Sequence, residues 1–93
     1  MFIGSIVFEI HIPYSQSLKE KRTVIRSLKE KLRNKFNVSV SEVGEMDKHQ
    51  KSVVAVVLVG ADQGHIEKSM DSIINFVEVN YPEIYIQTYR EII

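Results

Sequence analysis

Val53 to Val59 is an unbroken run of seven apolar residues, five of them valine. β-Branched side chains lose rotamer freedom in a helix and suit a pleated strand. Both faces of such a strand are apolar, so it belongs inside a sheet, covered on both faces or central among neighbours. The rest of the chain must supply those neighbours and at least one layer to cover them.

Residues 2 to 12 alternate. Phe2, Ile6, Phe8, Ile10 and Ile12 fall on one side, and Ile3, Ser5, Val7, Glu9 and His11 on the other. Pro13 ends this strand. Phe36 to Val43 predicts a second strand, with Phe36, Val38 and Val40 alternating against Asn37, Ser39 and Ser41, and Gly44 to Lys51 a polar connection. Ile84 to Ile93 predicts the last strand. Between them lie two helical patterns. Ser17-Leu18-Lys19-Glu20 matches a capping box, in which Ser17 and Glu20 satisfy each other's orphan amides. Leu18, Ile25, Leu28, Leu32 and Phe36 then mark the buried stripe of a helix of about five turns. Asp62 is placed to cap a second helix with the stripe Ile66, Met70, Ile73 and Val77, stopped by Tyr81-Pro82.

The order βαββαβ predicts an α+β fold, a ferredoxin-like sandwich with a four-stranded antiparallel sheet and two helices on one face. Strands one and three are central in that topology, which suits the all-apolar third strand. Ninety-three residues make a single domain, 1–93. The first eight residues are apolar but lack a basic start and meet Glu9 at once, so a first strand is expected there, not a signal peptide or a membrane segment. Cysteine is absent, which excludes disulfides, thiolate catalysis and Cys-ligated metals and is compatible with the cytoplasm.

A formal net charge of zero conceals a strong asymmetry. Lys19 to Lys35 holds eight of the twelve Lys and Arg residues against Glu20 and Glu30, about +6; the remainder holds four basic and ten acidic residues, about −6. At 100° per residue Lys19, Arg22, Arg26, Lys29 and Arg33 share an arc of roughly 80° on one flank of the first helix, with Lys31 and Lys35 on the other. Like charges at this spacing repel by about 0.2–0.5 kcal/mol per pair. Such a ridge is the footprint of a polyanion partner, with arginines suited to bidentate phosphate contacts. The structural reading stands beside it: the second helix carries Asp62, Glu67, Asp71 and Glu78 against Lys68, and the two helices of such a sandwich lie side by side. Lys21 projects from the middle of the apolar stripe, and its ammonium is expected to snorkel out near the Pro13–Ser17 loop.

Other chemistry is scarce. Glu45, Asp47 and His49 alternate, and an extended segment would set them on one side for a metal; a polar turn is the expectation, with no metal or cofactor. His65 falls in the first turn of the second helix, within reach of Asp62. Phosphate-loop, dinucleotide and nucleophile-elbow motifs are absent. Phe2 and Phe8 are expected to face the helices and strand three has no aromatic, which disfavours base stacking on the sheet. The open sheet face would present Ile3, Val7, alternate valines of strand three, Tyr85 and Tyr89. An apolar patch of that kind predicts a homodimer packed sheet to sheet.

His11-Ile12-Pro13-Tyr14-Ser15-Gln16-Ser17-Leu18-Lys19-Glu20-Lys21-Arg22, with Arg33-Asn34-Lys35-Phe36-Asn37-Val38-Ser39-Val40-Ser41-Glu42-Val43-Gly44 and Asp47, resembles the YlxP-like family of small uncharacterised bacterial proteins. Tyr14 stands where that family commonly has glycine, and Lys48-His49-Gln50 where it often has an aromatic-containing turn. The resemblance implies a ferredoxin-like fold in a cytoplasmic bacterial protein. Genes of the family often lie beside those for transcription and translation factors, which implies an RNA- or ribosome-linked role without catalytic residues. The resulting expectation is a non-enzymatic module that docks Lys19, Arg22, Arg26, Lys29 and Arg33 on the phosphates of structured RNA or the ribosome. A protein-interaction module that meets an acidic protein surface is the alternative.

Overall fold

The computed structural model of the chain describes residues 1–93. Six elements follow in order: β1 (Phe2–His11), α1 (Leu18–Lys35), β2 (Ser39–Gly44), β3 (Lys51–Gly60), α2 (Gln63–Asn80) and β4 (Tyr85–Ile92). The strands form one antiparallel sheet in the order β2-β3-β1-β4. The apolar run is therefore central, beside β1, and the fold is the ferredoxin-like βαββαβ sandwich that its alternation predicts.

Period two on the strands and 3.6 on the helices decide which side chains meet. Ile6, Phe8, Ile10 and Ile12 of the first strand segment and Val54, Val56 and Leu58 of β3 point to the helices and are buried. Ile25, Leu28 and Leu32 of α1 and Ile66, Met70, Ile73 and Val77 of α2 close over them. Each such side chain contributes about 1.5–3 kcal/mol on burial. Gly4 continues this inner row where α2 comes closest: a Cβ there would lie 2.8 Å from Ile66 Cγ2 and 2.9 Å from Met70 Sδ. Gly4→Ala should therefore cost about 1–3 kcal/mol through overpacking, read as a lower midpoint in thermal unfolding.

Three local expectations are corrected. β2 begins at Ser39 rather than Phe36, because Phe36 is the C-cap of α1, its N–H donating to Leu32 O at 2.9 Å and its ring standing edge-on to Phe76. Ser17 Oγ accepts from Glu20 N at 3.1 Å as expected, but the Glu20 carboxylate accepts from Gln16 N at 2.8 Å instead of the Ser17 amide. Asp62 holds the N-cap position of α2 without a side-chain cap bond, and His65 is exposed and does not bond to it.

Candidate functional site

The basic ridge occupies the outer flank of α1. Its direction is fixed by Arg33, whose Nη2 donates to the Val40 carbonyl of edge strand β2 at 2.8 Å. Lys19, Arg22, Arg26 and Arg33 are exposed and Lys29 is half-buried. From Lys19 to Arg33 the row is about 21 Å long at 1.5 Å per residue. None of the five reaches an acid: the ion pairs of the molecule involve Lys21, Lys48 and Arg90 instead.

The inner flank behaves differently. Lys31 lies over the Tyr81 ring at 5.2 Å, Lys35 over Phe76 at 4.8 Å, and Ser27 Oγ is 3.1 Å from the Tyr81 hydroxyl. These lysines are held against aromatic faces at the end of α2. The acids of α2 do not meet the ridge either; Asp71 pairs with Arg90 of β4, on the opposite edge of the sheet from β2. Charge is thus sorted laterally, with cations over the β2 edge and the Asp71–Arg90 pair at the β4 edge. Tyr14, beside the start of α1, adds no charge: burial first, then Glu83, Tyr81 and Glu20, push its phenol above the usual range, so it stays neutral near pH 7.

Lys21 is fully buried and does not snorkel. Its Nζ donates to the carbonyls of Glu45 at 2.8 Å, Lys51 at 3.0 Å and Met46 at 3.3 Å, and lies 3.1 Å from Glu42 Oε2. Ser52, also buried, donates to the same carboxylate oxygen at 2.6 Å. The expectation went wrong because Glu42 sits in phase with Val40 on the inner face of β2, so the ammonium finds an anion inside the molecule. The signal lay in the sequence: an acid in step with buried valines, and a lysine of opposite sign in step with the helix stripe. This ammonium also fixes the β2–β3 connection. Glu45 has φ of 57°, a left-handed conformation that disfavours a non-glycine residue, and its carbonyl is the closest acceptor of Lys21. Gln50 ties the same connection to the β1–α1 loop, its Nε2 donating to Pro13 O at 3.1 Å and Ser15 O at 3.3 Å.

That connection is a turn rather than an extended segment, with Lys48 N donating to Glu45 O at 3.2 Å. Glu45, Asp47 and His49 do not converge on a metal-sized site. Glu45 Oε2 lies 3.1 Å from Lys48 Nζ yet makes no well-directed hydrogen bond. The largest hollow, about 460 Å³, is remote from the ridge. It lies at one end of the open sheet face, where Glu9, His11, Lys51, Tyr85 and Gln87 mix both signs of charge. His11 stacks on Tyr85 there, ring centroids 6.0 Å apart. No helix is long and apolar enough to cross a membrane.

The comparisons with known proteins name no activity. The chain is 35% identical over 82 residues to the uncharacterised protein YlxP of Bacillus subtilis (strain 168), covering 88% of both chains. Residues 3–90, from the second residue of β1 to within two residues of the end of β4, match a family described as proteins of unknown function, DUF503. By the extent of that match the chain belongs to the DUF503 family.

Proposed function

We propose that this chain is a non-enzymatic RNA-binding module of the bacterial cytoplasm that docks α1 on the phosphates of structured RNA, ribosomal RNA foremost. One observation carries the reading: five cations stand in a row of about 21 Å on a rigid helix, and none has an acidic partner within the molecule. Tertiary structure has brought nothing to neutralise them, while the inner-flank lysines and Lys21 all have partners. Arg33 Nη2 is braced on the Val40 carbonyl, so that end of the row is held in place. Rigid placement lowers the ordering cost when phosphates bind. Binding of purified ribosomal subunits at low salt, lost in Arg22→Glu/Arg26→Glu, is the test. No binding by the wild type, or unchanged binding by the variant, refutes it. A partner retained in pull-downs from nuclease-treated lysate would favour the protein-interaction reading instead.

A further inference from the structure

We infer that the open face of the sheet is the contact surface for a second copy of this chain, related by a two-fold axis that lies in the interface and crosses the strands through Val7 and Ala55. The face is partly apolar and uncovered: Val57 is 41% exposed, Val59 63% and Tyr89 47%, with Val7 and Val53 half-buried around them. The observed register arranges it in rows. Lys51, His11 and Tyr85 form one end; then come Val53, Glu9 and Gln87; then Ser41, Ala55, Val7 and Tyr89; then Ser39, Val57, Ser5 and Glu91; and Ile3 with Val59 form the other end.

The occupant follows from how this pattern matches itself. A two-fold across the strands reverses the rows about the middle one. Val53 then faces Val57 of the mate, Ala55 and Val7 face themselves, Glu9 faces Ser5, and Gln87 faces Glu91. In the middle rows apolar groups meet apolar groups and polar groups meet polar groups. At the two ends Lys51 faces Val59 and His11 faces Ile3, where the lysine stem lies on the valine and its ammonium reaches water at the rim. A two-fold along the strands exchanges β3 with β1 and drives Glu9 onto Val53, which strands a carboxylate on a valine surface. Packed sheets are rotated by about 30°, and residues near the axis keep their partners under that rotation. The size is adequate. Four strands about 4.8 Å apart and rows spanning eight residues give a flat footprint of roughly 500 Å² per copy. Side-chain corrugation brings the pair toward the lower end of the roughly 1,200–2,000 Å² of stable interfaces.

The same axis leaves β2 of both copies on one side. The two cationic ridges then flank that side, roughly 30 Å apart: one sheet spacing of about 10 Å and one helix layer on either side. The dimer stands without any ligand, so its test is independent of RNA. Sedimentation at micromolar concentration should give a dimer for the wild type. Val57→Glu, at a position exposed in the single copy, should raise the dissociation constant at least about 100-fold and leave the far-UV circular dichroism unchanged. Val7→Glu should act the same way. The chain has no cysteine, so single thiols report cleanly. Under mild oxidation Ala55→Cys should give a linked dimer, by the inter-sheet bridging that immunoglobulin domains use. Val59→Cys should not. A monomeric wild type overturns the inference, as does a Val57→Glu variant that still associates, or equal cross-linking by both thiols.

Discussion

Lys21→Met should destabilise the protein by about 3–5 kcal/mol, the usual cost of breaking a buried ion pair from one side. A chain of this size has about 5–15 kcal/mol in total, so the loss should appear as a thermal midpoint lower by more than about 10 °C. The size of the effect comes from what is left behind. Methionine fills the channel of the lysine stem, but the Glu42 carboxylate, 17% exposed, loses its counter-charge and three carbonyls lose the ammonium as a donor, Glu45 O keeping only Lys48 N. An unmade bond to a buried group is more costly than a made bond is stabilising. Adding Glu42→Leu to Lys21→Met should recover part of the loss, because the stranded charge is then gone. Urea titrations of the wild type, single and double variants read this directly. A single variant within about 1 kcal/mol of the wild type would show that the ammonium is not what secures the β2–β3 connection.

The second large effect is on binding. With five phosphate contacts, the logarithm of affinity should fall with the logarithm of salt at a slope of about −3.5 to −4.5. Between 50 and 200 mM salt that amounts to roughly a 100- to 500-fold loss. Neutralising two contacts in Arg22→Ala/Arg26→Ala should bring the slope to about −2.1 to −2.7. Titrations against ribosomal subunits at several salt concentrations separate this from a general loss of fold, which would abolish binding without changing the slope of what remains. A slope unaltered by the double substitution would place the contacts elsewhere on the molecule.

The fold was legible because one face of each strand and one stripe of each helix had to be apolar, and these periods survive in the residues themselves. Val54, Val56 and Leu58 are buried in the alternation their sequence prescribes, and the four-residue stripe of α2 is buried in full. Boundaries were less legible where a side chain fits two elements in phase. Phe36 continues the inner row of β2 but closes α1, since its amide completes the last helical turn. The ridge could be placed on one flank of a helix but not aimed, because direction depends on which neighbour α1 leans over. The bond from Arg33 to Val40 supplies that answer. Lys21 was visible as a charge in an apolar phase; its destination required the distance to Glu42, which no spacing along the chain reveals.

The register of β2 has a further consequence for how the molecule keeps to itself in a crowded solution. Ile12 N donates to Gln50 O, and the alternation that follows turns the backbone groups of Ser39 and Ser41 toward β3 and those of Val40 outward. The outward carbonyl of Val40 is the one that Arg33 occupies. A bulge interrupts the strand between Glu42 and Gly44, and Glu42 points a charge inward just before it. Sheets that must not recruit stray strands use these same three devices: an engaged carbonyl, a local break in the ladder and an inward charge at the rim. β2 is thus a poor template for fibrillar growth, although it lies unpaired along one side of the molecule.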